Sequence, residues 1–239
     1  MSYIKSYLLQ SWSLITGNPA HPVTTFTARG PVGDNPRLNT CAITDADGDI
    51  TVTSTINGEQ VTETFSTYPA EFDADKNTDI EIKGGISSVE FDYTKAALKS
   101  GNFTELNFSA PNTLKNIYIN NIGGFNFLKI IELGGCAELT DLTVQNCHAV
   151  ETLLFDGCPK LKRLTVASLA ALNVGNVEAE VMAETLPETT DGVLTHAVVD
   201  SVYPDNYFEQ FAAVARRKGW TVVELNTEPD YSDDEPESK

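Results

Sequence analysis

Residues 128–171 read LKIIELGGCAE, LTDLTVQNCHA, VETLLFDGCPK and LKRLTVASLAA, which are four consecutive units of eleven residues. Each unit has apolar residues at its first, fourth and sixth positions and a Cys or Leu at its ninth. The two residues before the ninth position are of types that suit a sharp turn, such as Gly134-Gly135 and Asp156-Gly157. A unit this short has one apolar edge and cannot form a core alone, so neighbouring units must stack.

The same spacing extends back to Phe103, with three extra residues around Gly123 and Gly124. A full coil then has 22 residues and two strand-like halves, so each unit lies over the second unit after it. The Leu-x-x-Leu-x-Leu-x-x-Cys spacing resembles a leucine-rich repeat. Together with the segment Ile80-Glu-Ile-Lys-Gly84 that leads into it, the pattern is similar to leucine-rich repeat proteins of gut-dwelling bacteria and of the tailed phages that infect them.

The sequence predicts a mixed β-rich α/β fold, in which a small antiparallel β-domain is followed by a short leucine-rich-repeat-like β-solenoid and a C-terminal βαβ cap. The predicted parts are an N-terminal helix or arm (residues 1–21), the β-domain (22–83), the solenoid (84–176), the cap (177–225) and an acidic disordered tail (226–239). A cap is expected because the open end of a coil exposes apolar side chains and unpaired backbone.

The net charge of −18 arises from 34 acidic residues against 16 Lys and Arg. Proteins that bind nucleic acid neutralise phosphates with Lys and Arg, so this charge argues against nucleic acid as a partner. No apolar stretch has the length that a membrane span needs. The N-terminal sequence lacks the features of a secretory signal, so none is expected.

The first 21 residues carry a helical pattern of large apolar side chains. Ile4, Leu8, Trp12 and Ile15 recur at intervals of three to four residues, which places them on one face of a helix. This helix either packs on its own domain or acts as an assembly arm that docks on a partner.

Segments rich in Thr, Val and Ile between Leu38 and Tyr68 predict antiparallel strands, and Asn57-Gly58 predicts a two-residue hairpin turn. The acidic segment Asp45–Asp49 is expected to form a turn between two strands. A calcium loop is the alternative, but the EF-hand spacing requires Gly at the sixth position and Glu at the twelfth, where this chain has Gly at the fourth and Ile at the twelfth.

Towards the C-terminus, Val193–Val199 and Trp220–Leu225 have the composition of strands, and the residues between them predict a helix. Asn206 and Glu209 have the spacing of a capping box at the start of this helix. Residues 177–184 predict a further short helix that connects the repeats to the cap.

Cys136, Cys147 and Cys158 recur every eleven residues at one repeat position, which indicates a buried ladder of small apolar side chains. A disulfide between the stacked Cys136 and Cys158 is one alternative, and a metal or catalytic site is another. Free thiols at inward positions suit a chain made in a reducing cytoplasm.

The three histidines, His21, His148 and His196, lie in no recognisable nucleophile, metal or phosphate motif. His196 is expected to be a half-buried strand residue. No cofactor and no metal are expected, and the chain is not expected to be an enzyme.

The 22-residue coil predicts which side chains point outward. On one face the outward rows are Asn116, Asp141 and Arg163, followed by Tyr118, Thr143 and Thr165; on the other they are Glu105, Ile130 and Thr152, followed by Asn107, Glu132 and Leu154. Tyr118, Ile130 and Leu154 are notable because outward apolar side chains mark either a partner interface or a surface covered by another part of the chain.

These patterns favour a non-catalytic structural or protein-interaction module that binds a protein partner or forms a homo-oligomer. The resemblance implies an accessory virion protein of a bacterial virus, such as a head, tail or fibre attachment protein, made in the host cytoplasm and located in the virion. The alternative is an adhesin or glycan-binding leucine-rich repeat protein of the bacterial cell surface. An enzyme with a carboxylate site on the β-domain is the third hypothesis.

Overall fold

The computed structural model describes residues 23–29, 37–38, 41–72, 74–75, 78–92, 105–120, 128–169, 176–198 and 206–226. Three predicted features lie outside these residues, namely the N-terminal arm with Ile4, Leu8, Trp12 and Ile15, the three-residue insertion near Gly123, and the acidic tail after Asn226.

The first strands are β1 (Val23–Arg29), β2 (Arg37–Leu38), β3 (Cys41–Ile56), β4 (Glu59–Phe65), β5 (Ala70–Glu71), β6 (Ala74–Asp75) and β7 (Asp79–Asp92).

Short strands follow, and two helices lie near the end of the described residues. They are β8 (Glu105–Asn107), β9 (Asn116–Asn120), β10 (Ile130–Glu132), β11 (Asp141–Gln145), β12 (Thr152–Leu154), β13 (Arg163–Ala167), α1 (Asn176–Glu184), β14 (Val193–Val198), α2 (Phe208–Arg217) and β15 (Thr221–Asn226). Of the strands described, thirteen form one mixed sheet, while β2 and β6 pair separately. The protein therefore has a β-rich α/β fold built on a large mixed sheet.

The antiparallel part of the sheet contains β1, β3, β4 and β7. The predicted hairpin between β3 and β4 is confirmed, with Asn57 and Gly58 both at positive φ (55° and 78°). β7 pairs antiparallel with β1 and β3 and parallel with β9, so it spans the predicted boundary between residues 83 and 84. The division into domains stays a prediction.

The predicted turn at Asp45–Asp49 is wrong, because β3 runs without interruption through this segment. Shifts in the register between β3 and β7 absorb the extra residues there. Ile43 and Ile50, at the two ends of the segment, are fully buried, while the three Asp side chains between them are exposed. The bulged strand therefore keeps both Ile side chains in the core and leaves the carboxylates in water, and Tyr68 Oη donates to Gly48 O at 2.6 Å.

Two parallel ladders flank the central strands β1 and β7, in the order β12-β10-β8-β1-β7-β9-β11-β13-β14-β15. From β8 to β13 the chain alternates between the two ladders. Asp141 pairs with Asn116 and Arg163 in one ladder, and Ile130 pairs with Glu105 and Thr152 in the other. The register predicted from the eleven-residue spacing is thus confirmed.

Both ladders turn their apolar side chains towards a single core. The first, fourth and sixth positions of the repeat are buried, as are the ninth-position residues Cys136, Cys147, Cys158 and Leu169. The turn glycines are required by close backbone contacts, since a Cβ atom on Gly135 would lie 1.9 Å from Ala110 O, and one on Gly157 would lie 2.1 Å from Leu133 O.

The C-terminal elements β14, α2 and β15 form the predicted strand–helix–strand arrangement, with β15 parallel to β14 and β14 parallel to β13. α1 packs against α2 and contacts β12, where Phe155 N donates to Thr185 Oγ1 at 2.9 Å. The helix α1 therefore adjoins the ladder that ends at β12, whereas β14 and β15 extend the ladder that contains β13.

The predicted capping box at Asn206 and Glu209 is wrong. α2 begins at Phe208 after Tyr207, without a side-chain cap, and Glu209 instead pairs with Arg216. The helix begins here because the Phe208 ring is buried and stacks on His196, with centroids 3.7 Å apart. His196, expected to be half buried, is only 5% exposed.

Candidate interaction surfaces

The outward side chains of the parallel strands form two surfaces. Face A consists of Asn116, Tyr118, Asp141, Thr143, Arg163 and Thr165 on β9, β11 and β13, and face B consists of Ile130, Glu132, Thr152 and Leu154 on β10 and β12. In these strands the intervening residues are buried, which is the alternation expected when one side of a sheet packs on a core. The structure thus groups the predicted outward residues within each ladder.

The first row of face A is a closed polar network. Arg163 donates from Nε and Nη2 to the two carboxylate oxygens of Asp141, and Thr140 Oγ1 donates to Asp141 Oδ2 at 2.6 Å. With its amide turned to donate, Asn116 Nδ2 lies 3.1 Å from the same Asp141 oxygen. The hydrogen bond to Asp141 raises the pKa of Arg163 above its ordinary value. The two charged side chains of this row thus pair with each other.

The second row of face A begins at Tyr118, which is half buried. Its Oη accepts hydrogen bonds from Gln145 Nε2 at 2.9 Å and Asn120 Nδ2 at 3.3 Å. Thr143 and Thr165 continue the row along the ladder. The row therefore presents an oriented phenol next to two hydroxyl groups.

A buried chain of amides supports Tyr118 from behind. Asn146 Nδ2 donates to Asn120 Oδ1 at 2.9 Å, and Asn120 Nδ2 lies 3.4 Å from Asp92 Oδ1. All three side chains are less than a tenth exposed. Asn146 has φ of 55°, a left-handed conformation that Asn tolerates better than most residues.

Face B combines charge with one exposed aliphatic side chain. Leu154 is 41% exposed, Thr152 is exposed and Ile130 is half buried. Glu132 accepts a hydrogen bond from Asn107 Nδ2 at 2.7 Å in the neighbouring strand. A single exposed Leu is common on protein surfaces, so face B by itself gives little indication of a binding site.

The sheet continues face A onto two strands that were predicted only as a cap. There exposed apolar side chains join the outward threonines Thr195 and Thr221, with Val193 36%, Val223 37% and Leu225 48% exposed. Val193 and Val223 are diagonal neighbours on β14 and β15, since Val193 pairs with Thr221 and Thr195 pairs with Val223. We call Val193, Val223 and Leu225 the apolar rim.

No family model, curated protein or solved structure matches the chain. The physical character of its own surfaces is therefore the basis for a functional assignment. The apolar rim was missed from the sequence because a terminal strand of a cap is expected to have a polar outer side. The signal was present in Thr221-Val-Val-Glu-Leu225, where Val223 and Leu225 alternate with residues that face the other way.

A cleft of about 610 Å³ lies between the turn at Pro159–Lys162, residues 188–191 and the end of α2. Its lining includes the bases Lys160, Lys162, Arg217 and Lys218 and the acids Glu188 and Asp191. Lys160 pairs with Glu138, Lys162 with Asp191 and Arg217 with Glu184. These bases hold neighbouring segments together. The lining of the cleft has four bases and two acids, although the whole chain is strongly acidic.

Cys136, Cys147 and Cys158 are buried free thiols. The hydrogen bond between the Cys136 and Cys158 thiols lowers the pKa of Cys136 and, together with burial, raises the pKa of Cys158 well above its ordinary value. Among the described residues no group of three His, Cys, Asp or Glu side chains is arranged to hold a metal ion. Neither of the helices described is long and apolar enough to cross a bilayer.

Proposed function

We propose that the protein is a non-catalytic interaction module whose eleven-residue units form a leucine-rich-repeat-like β-solenoid. The support for this architecture is the pair of parallel ladders, in which residues 22 positions apart pair from β11 to β13 and from β10 to β12. A scaffold of this kind buries its apolar side chains internally and leaves its outward faces for recognition. Function would then lie on those faces.

The surface proposed for partner binding is face A together with the apolar rim. The observation that carries the proposal is the contiguous exposure of Val193, Val223 and Leu225 beside the polar rows of β11 and β13. Exposed apolar side chains that adjoin polar ones are common at protein–protein interfaces. We therefore infer a protein partner.

The narrower prediction of an accessory virion protein is carried by the resemblance alone and remains a proposal. Location in a virion, or at a bacterial surface under the alternative, is part of the same proposal. The predicted arm with Ile4, Leu8, Trp12 and Ile15 is a second candidate assembly element, and residues 1–21 lie outside those that the structure describes.

Site-specific photocrosslinking in the cells that make the protein tests the proposed surface. A photoreactive residue at Thr195, which is flanked on the sheet by Val193 and Val223, is expected to give a covalent adduct with another polypeptide chain. The matched control is the same residue at Gln60, an exposed position on β4 far along the chain from the rim. Equal labelling at both positions, or none at Thr195, would contradict the proposal.

Glycan binding is the second candidate function, and Tyr118 is the observation that favours it. A half-buried aromatic ring with an oriented hydroxyl, next to Thr143 and Gln145, offers a stacking surface and polar groups of the kind that sugars use. Calorimetric titration with an oligosaccharide panel tests this function. Tyr118→Ala is expected to lower the affinity for a sugar that binds by roughly tenfold or more. If the native chain binds none of them, the oligosaccharides of the panel are excluded as ligands.

A further inference from the structure

We propose that β15 pairs in antiparallel orientation with β15 of a second copy of this chain, so that the sheet continues from one copy into the other. This inference rests on the proposed function, because it names the partner of the apolar rim. β15 is the last strand in the sheet order, and among the described residues no strand pairs with its outer edge. An open edge with apolar neighbours favours pairing with another chain.

The backbone of β15 shows which groups this edge offers. Thr221 N donates to Gly192 O at 2.8 Å, and β15 is parallel to β14. Along a strand, residues alternate between those whose N–H and C=O point to one neighbour and those whose groups point to the other side. Thr221, Val223 and Leu225 therefore bond towards β14, and Val222 and Glu224 present their N–H and C=O at the outer edge.

This alternation fits a two-fold axis through Val223. Val222 of each copy then lies opposite Glu224 of the other, and these two pairs exchange main-chain hydrogen bonds across the axis. Val223 faces its own counterpart in the closer, non-hydrogen-bonded pair, and Thr221 faces Leu225. The apolar rims of the two copies become neighbours on one side of the joined sheet.

The single charge of β15 disfavours one neighbouring register. Glu224 is the charged residue of the strand, and with the axis at Val223 it lies opposite Val222 of the second copy. An axis at Glu224 would place two carboxylates directly opposite each other, which is destabilising. An axis at Val223 avoids this repulsion and pairs all five residues from Thr221 to Leu225 with the second copy.

The sequence beyond β15 gives a second argument for antiparallel pairing. In this arrangement the end of β15 at Asn226 lies beside the start of β15 in the other copy. Gly219, two residues before that start, lines the cleft that contains Lys160, Lys162, Arg217 and Lys218. Acidic residues at 228, 230, 233, 234, 235 and 237 follow Asn226 in the sequence, so antiparallel pairing directs the acidic end of one copy towards a cleft of the other whose lining has four bases and two acids, although Lys160, Lys162 and Arg217 also pair with acids of their own copy.

The expected dimer is weak. Two strands of six residues form an interface at the small end of the observed range, roughly below 1,200 Å² in total. The charge of −18 on each copy also opposes close approach. We expect reversible association that depends on concentration, and not a permanent dimer.

Sedimentation equilibrium of the full chain, from about 1 µM to about 1 mM, tests the inference. The mass is expected to rise with concentration from 26.0 kDa towards twice that value. Glu224→Pro removes an outward N–H that would bond the second copy, so it is expected to weaken the dimer at least tenfold. The fold itself should tolerate the change, because Pro is accepted on an edge strand where the N–H has no partner within the chain. Glu224→Gln is the matched control, since it keeps the N–H and should leave the dimer intact.

Val223→Asp is the second variant, which places two carboxylates across the axis at an exposed position and should abolish dimerisation while thermal unfolding stays cooperative. A mass of 26.0 kDa at every concentration would overturn the inference. A dimer that survives both variants, or one that is lost on deletion of residues 1–17, would assign association to another surface. If the chain is monomeric and Thr195 still crosslinks a different protein, only this inference fails; if Thr195 gives no adduct, the proposed function fails as well.

Discussion

Asp141 and Arg163 are 22 residues apart in the sequence and form a two-pronged ion pair across β11 and β13. Lys129 with Glu151 and Glu138 with Lys160 have the same separation and are also ion-paired. Opposite charges therefore recur at the distance that joins neighbouring strands within a ladder. These pairs favour the observed register over one in which like charges meet.

The Asp141–Arg163 pair is expected to add little to the free energy of unfolding. Arg163 is 67% exposed, and exposed ion pairs contribute about 0.2 to 1 kcal/mol. A double-mutant cycle with Asp141→Ala and Arg163→Ala, measured by urea denaturation, should give a coupling energy in that range that decreases at high salt. A coupling energy above about 2 kcal/mol would show that the pair is far less solvated than the structure indicates.

Gly135→Ala is expected to destabilise the protein by about 2 to 3 kcal/mol, because the new Cβ would lie 1.9 Å from a backbone oxygen. The neighbouring Gly134→Ala is the matched control. Its Cβ would meet Ser109 at 3.7 Å, an ordinary contact, so a change within about 0.5 kcal/mol is expected. Equal effects of the two substitutions in chemical denaturation would mean that the turn at Gly134-Gly135 does not pack on Ser109 and Ala110 as described.

Asn146 contributes through both its backbone conformation and its side chain. Asn146→Gly keeps the left-handed conformation but loses the hydrogen bond to Asn120, and should cost about 1 to 2 kcal/mol. Asn146→Ala loses both and should cost about 1 kcal/mol more. If Ala and Gly give the same melting temperature, the backbone conformation at this position carries no energetic cost.

The buried thiols should be unreactive in the folded protein. Native Cys41→Ser protein, which retains Cys136, Cys147 and Cys158, is expected to react with a thiol reagent only at the rate of unfolding, because the three side chains are buried. Addition of denaturant should expose all three within the mixing time. Rapid labelling of one thiol without denaturant would show that its part of the core opens locally.

Stability should also decrease in alkaline solution. The raised pKa of Cys158 means that the folded state holds a proton that the unfolded state releases above the ordinary thiol pKa of 9.0. The contribution of this group is fully present below pH 9.0 and is lost as the pH rises further. Cys158→Ala should reduce the slope of unfolding free energy against pH in this range, and an unchanged slope would exclude the thiol as its source.

The sequence predicted the strand register well because the signal is periodic and local. Each unit places Leu or Ile at fixed positions, so the pairing of Asp141 with Arg163 follows from counting 22 residues. The hairpin at Asn57-Gly58 was equally predictable, since both residues suit positive φ.

Other features depend on distant contacts that no local pattern reveals. The acidic segment at Asp45–Asp49 has the composition of a turn, but burial of Ile43 and Ile50 against the core keeps it within β3. The start of α2 is likewise set by the stacking of Phe208 on His196, a residue of β14. Predicting the apolar rim would have required knowing which side of β14 and β15 faces outward.

The alternation of the chain between two ladders limits how this protein can change in length during evolution. Insertion of one eleven-residue unit would move every later unit to the opposite ladder, so that Arg163 would no longer lie beside Asp141 and the cap would meet the wrong edge. Insertion of two units would restore every pairing beyond the insertion. Gene duplication is therefore expected to lengthen or shorten such proteins by pairs of units, and homologues should differ by multiples of 22 residues between β9 and β14.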